Sequence, residues 1–484
     1  MNEMKIYEVV VIGAGLSGVC AAIKLKEAGV ANFHVFEKGA DVGGTWRDNR
    51  YPGVACDVPS HLYSYSFAPN PEWSRWYAPG AEIWDYVKKC ATEFDVYDQI
   101  TFNTLVESAV WETDRWVLTD SNGSTFAAKS IVSALGGLHT PNLPDIPGQD
   151  IFSGQQFHTT EWPDELDLTG KRVAVVGTGA TAVQIVPEIA DQVEELFVFQ
   201  RSPVWVGSKK DPEYTEEERA EFRSNPEAVT KLRHDLYQSW ESSSIDLHRV
   251  GTEVNTNAEM RARQQIQRSV SDPEVAKALT PDHNFTCKRA TISNRYYATY
   301  DKDNVTLVTG AVDSLTQSGL VSDGESYDVD VIVFATGFKA FNIANEIDLT
   351  GAGGLKLTQA WKNRVTSFKT VMIHDFPNLF LMMGPNGTGL HSALQTIEAQ
   401  GDYVVRMVEH LQREAIVSLN PKQEFVDEFT RDVERRFEGT THDKGCTSWW
   451  SDQTGFNHSI SPGSSDDYRS LIANIELDQF EVGG

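Results

Sequence analysis

Two glycine-rich turns, one basic pair and one histidine hold the residues whose types and spacing could do chemistry. The first turn is Gly13-Ala14-Gly15-Leu16-Ser17-Gly18, after a β-branched run from Ile6 to Ile12 and before a helix pattern that reaches Ala28 and stops at Gly29. In such a β-turn-α unit the first glycine makes the turn and the second lets backbone approach a pyrophosphate. The third lets helix pack on strand, and the phosphate rests on free N–H groups at the positive helix end. Glu37 closes the next strand, 19 residues beyond Gly18. A carboxylate there suits ribose hydroxyls and disfavours a 2′-phosphate. The second turn is Gly177-Thr178-Gly179-Ala180-Thr181-Ala182, after Arg172 to Val176. The strand after it, Leu196 to Phe199, leads into Gln200-Arg201 with no acid. Arginine suits a 2′-phosphate by charge and by its forked geometry; the alternative is a solvated surface arginine. The first unit therefore reads as a site for FAD and the second as a site for NADPH.

Two such units in one chain imply redox transfer between a bound flavin and a diffusible nicotinamide. Three further stretches bear on the chemistry that the reduced flavin then performs. Phe152 to Pro163 has the form F-x-G-x-x-x-H-x-x-x-W-P, with His158 and Trp162 between the two units. By itself His158 is either a satisfied structural histidine or a relay that senses which nucleotide is bound. Gly43 to Asp57 has the form G-G-x-W-x-x-x-x-Y-P-G-x-x-x-D, which from composition alone reads as a surface loop folded close over something. Lys288-Arg289 is a basic pair in an acidic chain. The two long patterns, and the run Ile292 to Tyr297 with Asp303-Asn304-Val305 after the basic pair, resemble the Baeyer–Villiger monooxygenases, a branch of the flavin-dependent monooxygenases. Close relatives that oxidise amines and sulfides usually carry Phe or Tyr where this chain has Trp162.

The resemblance spans nearly the whole chain. It implies that NADPH-reduced FAD and O2 form a C4a-peroxide, which adds to a ketone and yields an ester or lactone. It places Arg289 at the catalytic arginine, Asp57 as its partner and His158 as a coupling residue. Arginine keeps its charge when desolvated, and one fixed donor at a developing oxyanion is worth about 3 kcal/mol. Cofactor-binding positions on this match are Gly13, Gly15, Gly18, Glu37, Gly44, Thr45, Trp46, Asp57, Tyr63, Gly177, Thr178, Gly179, Ala180, Thr181, Gln184, Arg201, Ser202, Lys288, Arg289 and Trp449. No metal site is expected. An N- or S-oxygenating flavin monooxygenase is the second reading, and an NADPH oxidase or redox-sensing flavoprotein the third.

Positioning these residues requires an α/β chain with two Rossmann-like domains. The expected division is a FAD-binding part over 1–145, an NADPH-binding domain over 146–335 with a helical insertion near 208–280, and a second FAD-binding part over 336–484 ending in a lid-like tail. Pro141, Pro144 and Pro147 make a stiff first boundary. Ser130 to Leu135 and Tyr327 to Phe334 are expected as strands, each closed by glycine (Gly136-Gly137 and Gly337). Leu379 to Met383 is a buried strand into a turn, with a helix from His391 to Leu411. The tail carries Cys446 to Trp450. At 484 residues the chain exceeds one ordinary core. Its 42 basic and 69 acidic residues give a formal charge of −27, which argues against nucleic acid and membrane-surface partners. Five scattered cysteines contain no C-x-x-C or C-x-x-x-x-C pair, so neither a disulfide framework, a metal knuckle nor a redox dithiol is expected. No span or leader pattern is evident. The expectation is a cytoplasmic enzyme, a monomer or weak homo-oligomer, whose partners are a small ketone and O2.

Overall fold

Val9, Val10 and Val11 are wholly buried, as a strand covered on both faces requires. They lie in β1 (Ile6–Ile12), which the computed structural model pairs in parallel with β2 (Phe33–Phe36) and, in chain order, with the last strand before the first crossing. The structure describes residues 4–340, 342–390, 392–443, 446, 448–452 and 454–483. Between β1 and β2 runs α1 (Leu16–Glu27). β3 (Ile100–Thr101) extends the edge beyond β2, and β4 (Val106–Glu112), β5 (Arg115–Asp120) and β6 (Thr125–Ser133) form an antiparallel meander. β6 then runs parallel beside β1, with Val132 opposite Val11.

The second sheet starts at β7 (Gln155–His158). It continues through β8 (Arg172–Val176), α2 (Ala180–Ile189), β9 (Glu195–Gln200), β10 (Val305–Thr309) and β11 (Val331–Phe334), all strands parallel, in the order β10-β9-β8-β11-β7. Between β9 and β10 lie the helices Glu216–Ser224, Pro226–Leu247, Glu253–Ser269 and Pro273–Ala278 and the single-turn Tyr296–Thr299. The expected single strand from Tyr327 to Phe334 is two. Glu325–Asp328 is antiparallel to Gly319–Ser322 in a small separate sheet, and the chain enters β11 only at Val331. The break falls at Asp330, whose carboxylate accepts from the Arg172 backbone N–H at 2.9 Å and turns the chain onto β8. The chain then returns to the first sheet. β12 (Asp348–Thr350) pairs with β4, β13 (Leu379–Leu381) pairs with β6, and α3 (Ala393–Arg413) packs on α1. His391, the expected start of that helix, lies outside the described residues.

The two passages between sheets lie side by side. Each follows a central strand and turns at a glycine with φ near +77°, Gly136 after β6 and Gly337 after β11. Asn142 N–H donates to Gly337 O, and Lys339 N–H donates to Thr140 O, both at 2.9 Å.

One expectation fails outright. Cys287 and Cys446 are joined by a disulfide, with Cα atoms 5.6 Å apart and 159 residues of separation. Spacing rules detect short-range cysteine pairs; this one is brought together only by the return of the tail to the second sheet. Cys20, Cys56 and Cys90 are buried and free. No helix among the described residues is long and apolar enough to cross a membrane, and no metal-binding cluster occurs among them.

Candidate active site

Each glycine-rich turn opens on a glycine that no other residue could replace without strain. Gly13 has φ +100° and a Cβ there would lie 2.7 Å from Ala134 O; a Cβ on Gly18 would lie 1.8 Å from Gly13 O. Gly15 faces Gly44, whose Cβ would approach the Gly15 Cα to 3.1 Å, so two backbones meet without side chains at the head of α1. Glu37 is buried beside them. Its carboxylate accepts from Ala14 N–H and Gly39 N–H, both at 2.7 Å, and from Arg47 Nη1 at 2.9 Å. The carboxylate therefore also holds the turn shut. Thr45 opens the short helix Thr45–Asp48, and Trp46 Nε1 donates to the Tyr63 hydroxyl at 3.2 Å.

The second turn repeats the geometry. Gly177 has φ +117° and a Cβ would meet Ala335 O at 2.4 Å. Its N–H donates to Phe199 O, as Gly13 N–H donates to Phe36 O. Gly179 and Ala180 are exposed at the head of α2, and open space surrounds the Gly179 Cβ position. A helix N-terminus that opens on Gly179 and is exposed to solvent fits a pyrophosphate. Beside it the Thr178 hydroxyl donates to Ser202 O at 2.9 Å, and Lys288 Nζ donates to Ser202 Oγ at 3.0 Å. Burial lowers the Lys288 pKa, and the nearby positive charge of Arg201 lowers it further. Two cations this close gain from an anion between them, which is what a 2′-phosphate offers.

Asp57 and Arg289 come from different sheets' loops and meet. Arg289 Nη2 donates to both Asp57 carboxylate oxygens at 2.7 Å. The Asp57 charge raises the arginine's pKa above its ordinary value, against the opposing effect of burial. The Arg289 side chain is 44% exposed and that of Asp57 24%, so the pair faces open space. The loop carrying Asp57 is seated on α2 by its own pattern. Tyr51 OH donates to Gln184 Oε1, and Gln184 Nε2 donates to Ala55 O, both at 2.9 Å. Gly53, at φ +81°, lies where a Cβ would be 2.9 Å from Gln184 O. The Y-P-G-x-x-x-D run thus docks the first domain's loop onto the second nucleotide helix, with Asp57 at its end.

His158 ends β7, opposite Phe334 of β11, and is wholly buried. Thr160 N–H donates to its Nδ1 at 3.2 Å, which leaves the proton on Nε2, and Nε2–H donates to Gly337 O at 3.0 Å. Burial holds its pKa below the ordinary imidazole value. With both nitrogens engaged, the ring ties the edge strand to the glycine of the second passage. The other motif positions serve the same strand. Phe152 packs in the core, a Cβ on Gly154 would lie 2.5 Å from Asp330 O, and Trp162 sits edge-on to Phe157 at 5.4 Å. Trp449 lies in the tail, 42% exposed and against Trp450, three residues after the disulfide that ties the tail beside Lys288.

Sequence reasoning missed two residues here. Arg47 forms a buried ion pair with Glu37, and its only signal was its place next to Trp46 in the second long pattern. Asn386, at φ +57°, donates from its side chain to Asn457 O and Ile460 O and so anchors the tail; the turn around it was visible, its partners were not.

Comparison with known proteins gives a consistent picture. The flavin-binding monooxygenase-like family pattern matches residues 6–217. A protein of Streptomyces coelicolor named Baeyer-Villiger monooxygenase is 37% identical over 98% of this chain and 92% of its own. Among solved structures, OTEMO in complex with FAD and NADP aligns with a TM-score of 0.90 at 28% identity, over 99% of this chain and 100% of that one. Cyclohexanone monooxygenase from Rhodococcus sp. Phi1 bound to NADP+ aligns with a TM-score of 0.89 at 29% identity, over 100% of both chains.

Proposed function

The chain belongs to the Baeyer–Villiger monooxygenases within the flavin-binding monooxygenase-like family, and from that premise we propose how its residues divide the work and that its substrate is a small ketone. It is an FAD- and NADP-dependent enzyme. Bound FAD, once reduced by NADPH, supplies the chemistry that activates O2. The α1 turn, Glu37 and the Gly44–Trp46 segment hold FAD. The α2 turn, Arg201, Ser202 and Lys288 hold NADPH by its phosphates. Residues 1–145 and 336–484 form the FAD-binding part and 146–335 the NADPH-binding part.

The observation that carries the reading is the Arg289–Asp57 pair, joined across 232 residues of sequence at the meeting of the two domains. Its guanidinium supplies a permanent positive charge to a negative oxygen at the reacting centre, and Asp57 fixes its plane and keeps it from swinging away. His158 acts as a positioning residue at the passage between domains. The test is turnover of simple cyclic and aryl ketones with NADPH and isotopically labelled O2. An ester or lactone carrying one labelled oxygen per NADPH is expected. Oxygenation of amines or sulfides with ketones untouched, or release of hydrogen peroxide alone, would overturn the ketone assignment.

A further inference from the structure

We propose that Cys287 and Cys446 form a reversible dithiol–disulfide site that sets how tightly the enzyme holds NADPH; the inference rests on the nicotinamide-site reading above. The pair joins two places that matter. Cys287 immediately precedes Lys288, bonded to Ser202 at the second nucleotide turn, and Arg289, bonded to Asp57. Cys446 lies three residues before Trp449. The bond therefore fixes the tail to the loop that presents both cations.

Hydrogen bonds and ring contacts also hold the tail to that region. The Thr286 and Thr441 hydroxyls meet at 2.7 Å, and Thr441 N–H donates to His248 O at 2.8 Å. The His442 ring stacks on His248 at 5.3 Å and meets Trp450 edge-on at 5.0 Å. These contacts seat the tail without a covalent tie. The Cys287–Cys446 bond adds a covalent tie that no side-chain rotation undoes. Breaking it leaves the tail on noncovalent contacts and removes the anchor of the loop that presents Lys288 and Arg289, so NADPH is then held less tightly.

The two sulfurs differ in access. Cys287 is 4% exposed, whereas Cys446 is half-buried. An incoming thiolate attacks the Cys446 Sγ, the Sγ–Sγ bond breaks, and Cys287 leaves as a thiolate next to two cationic residues, which favours it as a leaving group. The second thiol of the same dithiol then displaces the mixed disulfide. The dithiol loses two electrons and two protons and becomes a cyclic disulfide, and the protein gains two thiols. A small-molecule disulfide such as oxidised glutathione drives the reverse, being reduced to two thiols.

The experiment compares the FAD-loaded full chain after treatment with oxidised glutathione and after treatment with dithiothreitol, each reagent removed. Reactive thiols are counted under native and denaturing conditions, and NADP+ affinity is measured by calorimetry. Reduction is expected to expose two further thiols, to weaken NADP+ binding several-fold and to leave FAD retention unchanged. Cys446→Ser should bind NADP+ as the reduced wild type does and ignore both reagents. Should that variant not fold, the two wild-type forms decide alone. Equal NADP+ affinity in the two forms, or a Cys446→Ser protein that still responds to dithiothreitol, overturns the switch and leaves the nicotinamide site standing. Failure of both forms to bind NADP+ brings down the nicotinamide-site reading and the switch with it.

Discussion

In the proposed division of work Arg289 is the residue on which the chemistry turns, because its charge is both fixed and accessible. Both Asp57 oxygens hold one of its nitrogens, which leaves the rest of the planar fork toward open space. Arg289→Ala should retain FAD, since no contact of the α1 turn is touched. Ester formation should fall about a hundredfold or more, the usual scale for losing one oxyanion donor. Arg289→Lys should not restore it, because a mobile point charge replaces the fork. Rapid-mixing spectra together with ester yield check this, and near wild-type ester formation by the alanine variant would remove the assignment. Arg201 is proposed to act at the adenosine end of the same cofactor. Arg201→Ala should raise the KM for NADPH and leave that for NADH nearly unchanged. Steady-state rates with the two cofactors decide, and equal losses would strip Arg201 of a 2′-phosphate role.

The elements that carry these residues were legible to different degrees. Both strand-turn-helix units stand where the glycine spacing put them, because backbone approach and helix packing dictate glycine locally. The strand expected from Tyr327 to Phe334 was too long: both halves are β-prone, and only Val329 and Asp330 separate them, the latter bonded to the distant Arg172. Arg289 with Asp57, and Cys287 with Cys446, are pairings over more than 150 residues. No local period encodes them; the first was suggested by resemblance and the second was missed. The twin turns also yield a paired prediction. Gly13→Ala forces a Cβ onto the Ala134 carbonyl at positive φ and should give apoprotein or weakly held FAD. Gly177→Ala makes the same clash with Ala335 and should keep yellow flavin that NADPH reduces slowly. Flavin absorbance after gel filtration and anaerobic reduction rates read the two. Exchanged phenotypes would reverse the assignment of the two domains.

At the scale of the whole molecule, several histidines are buried as neutral groups. Burial, with the neighbouring Arg233 charge, lowers the His61 pKa from 6.5 to about 4; burial, with His248, lowers that of His442 to about 3. Neither His61 nitrogen has a hydrogen-bond partner among the described residues, and its ring lies edge-on to Tyr214 and Phe222. Unfolding returns these imidazoles to about 6.5, so between that pH and about 4 the unfolded chain binds more protons than the native one. Stability should therefore fall as pH drops through this window. His61→Phe, which keeps an aromatic in the same cage and cannot titrate, should flatten the fall. Denaturant midpoints at several pH values check it; identical acid limbs for variant and wild type would show that His61 is not part of the cause.

The Arg201–Lys288 cradle is a small positive island on a chain of formal charge −27, and the contrast bears on how fast the cofactor arrives. NADPH is itself a polyanion. At an ionic strength of about 0.01 M the screening length is about 30 Å, so the incoming cofactor feels the repulsion of the whole surface; at about 0.15 M it is about 8 Å, and only the cradle is felt. Added salt should first speed NADPH capture, as the distant repulsion fades, and then slow it, as the cradle itself is screened. Stopped-flow association rates across this range should pass through a maximum. A steady fall from the lowest salt onward would mean that the two cations govern the encounter at every distance.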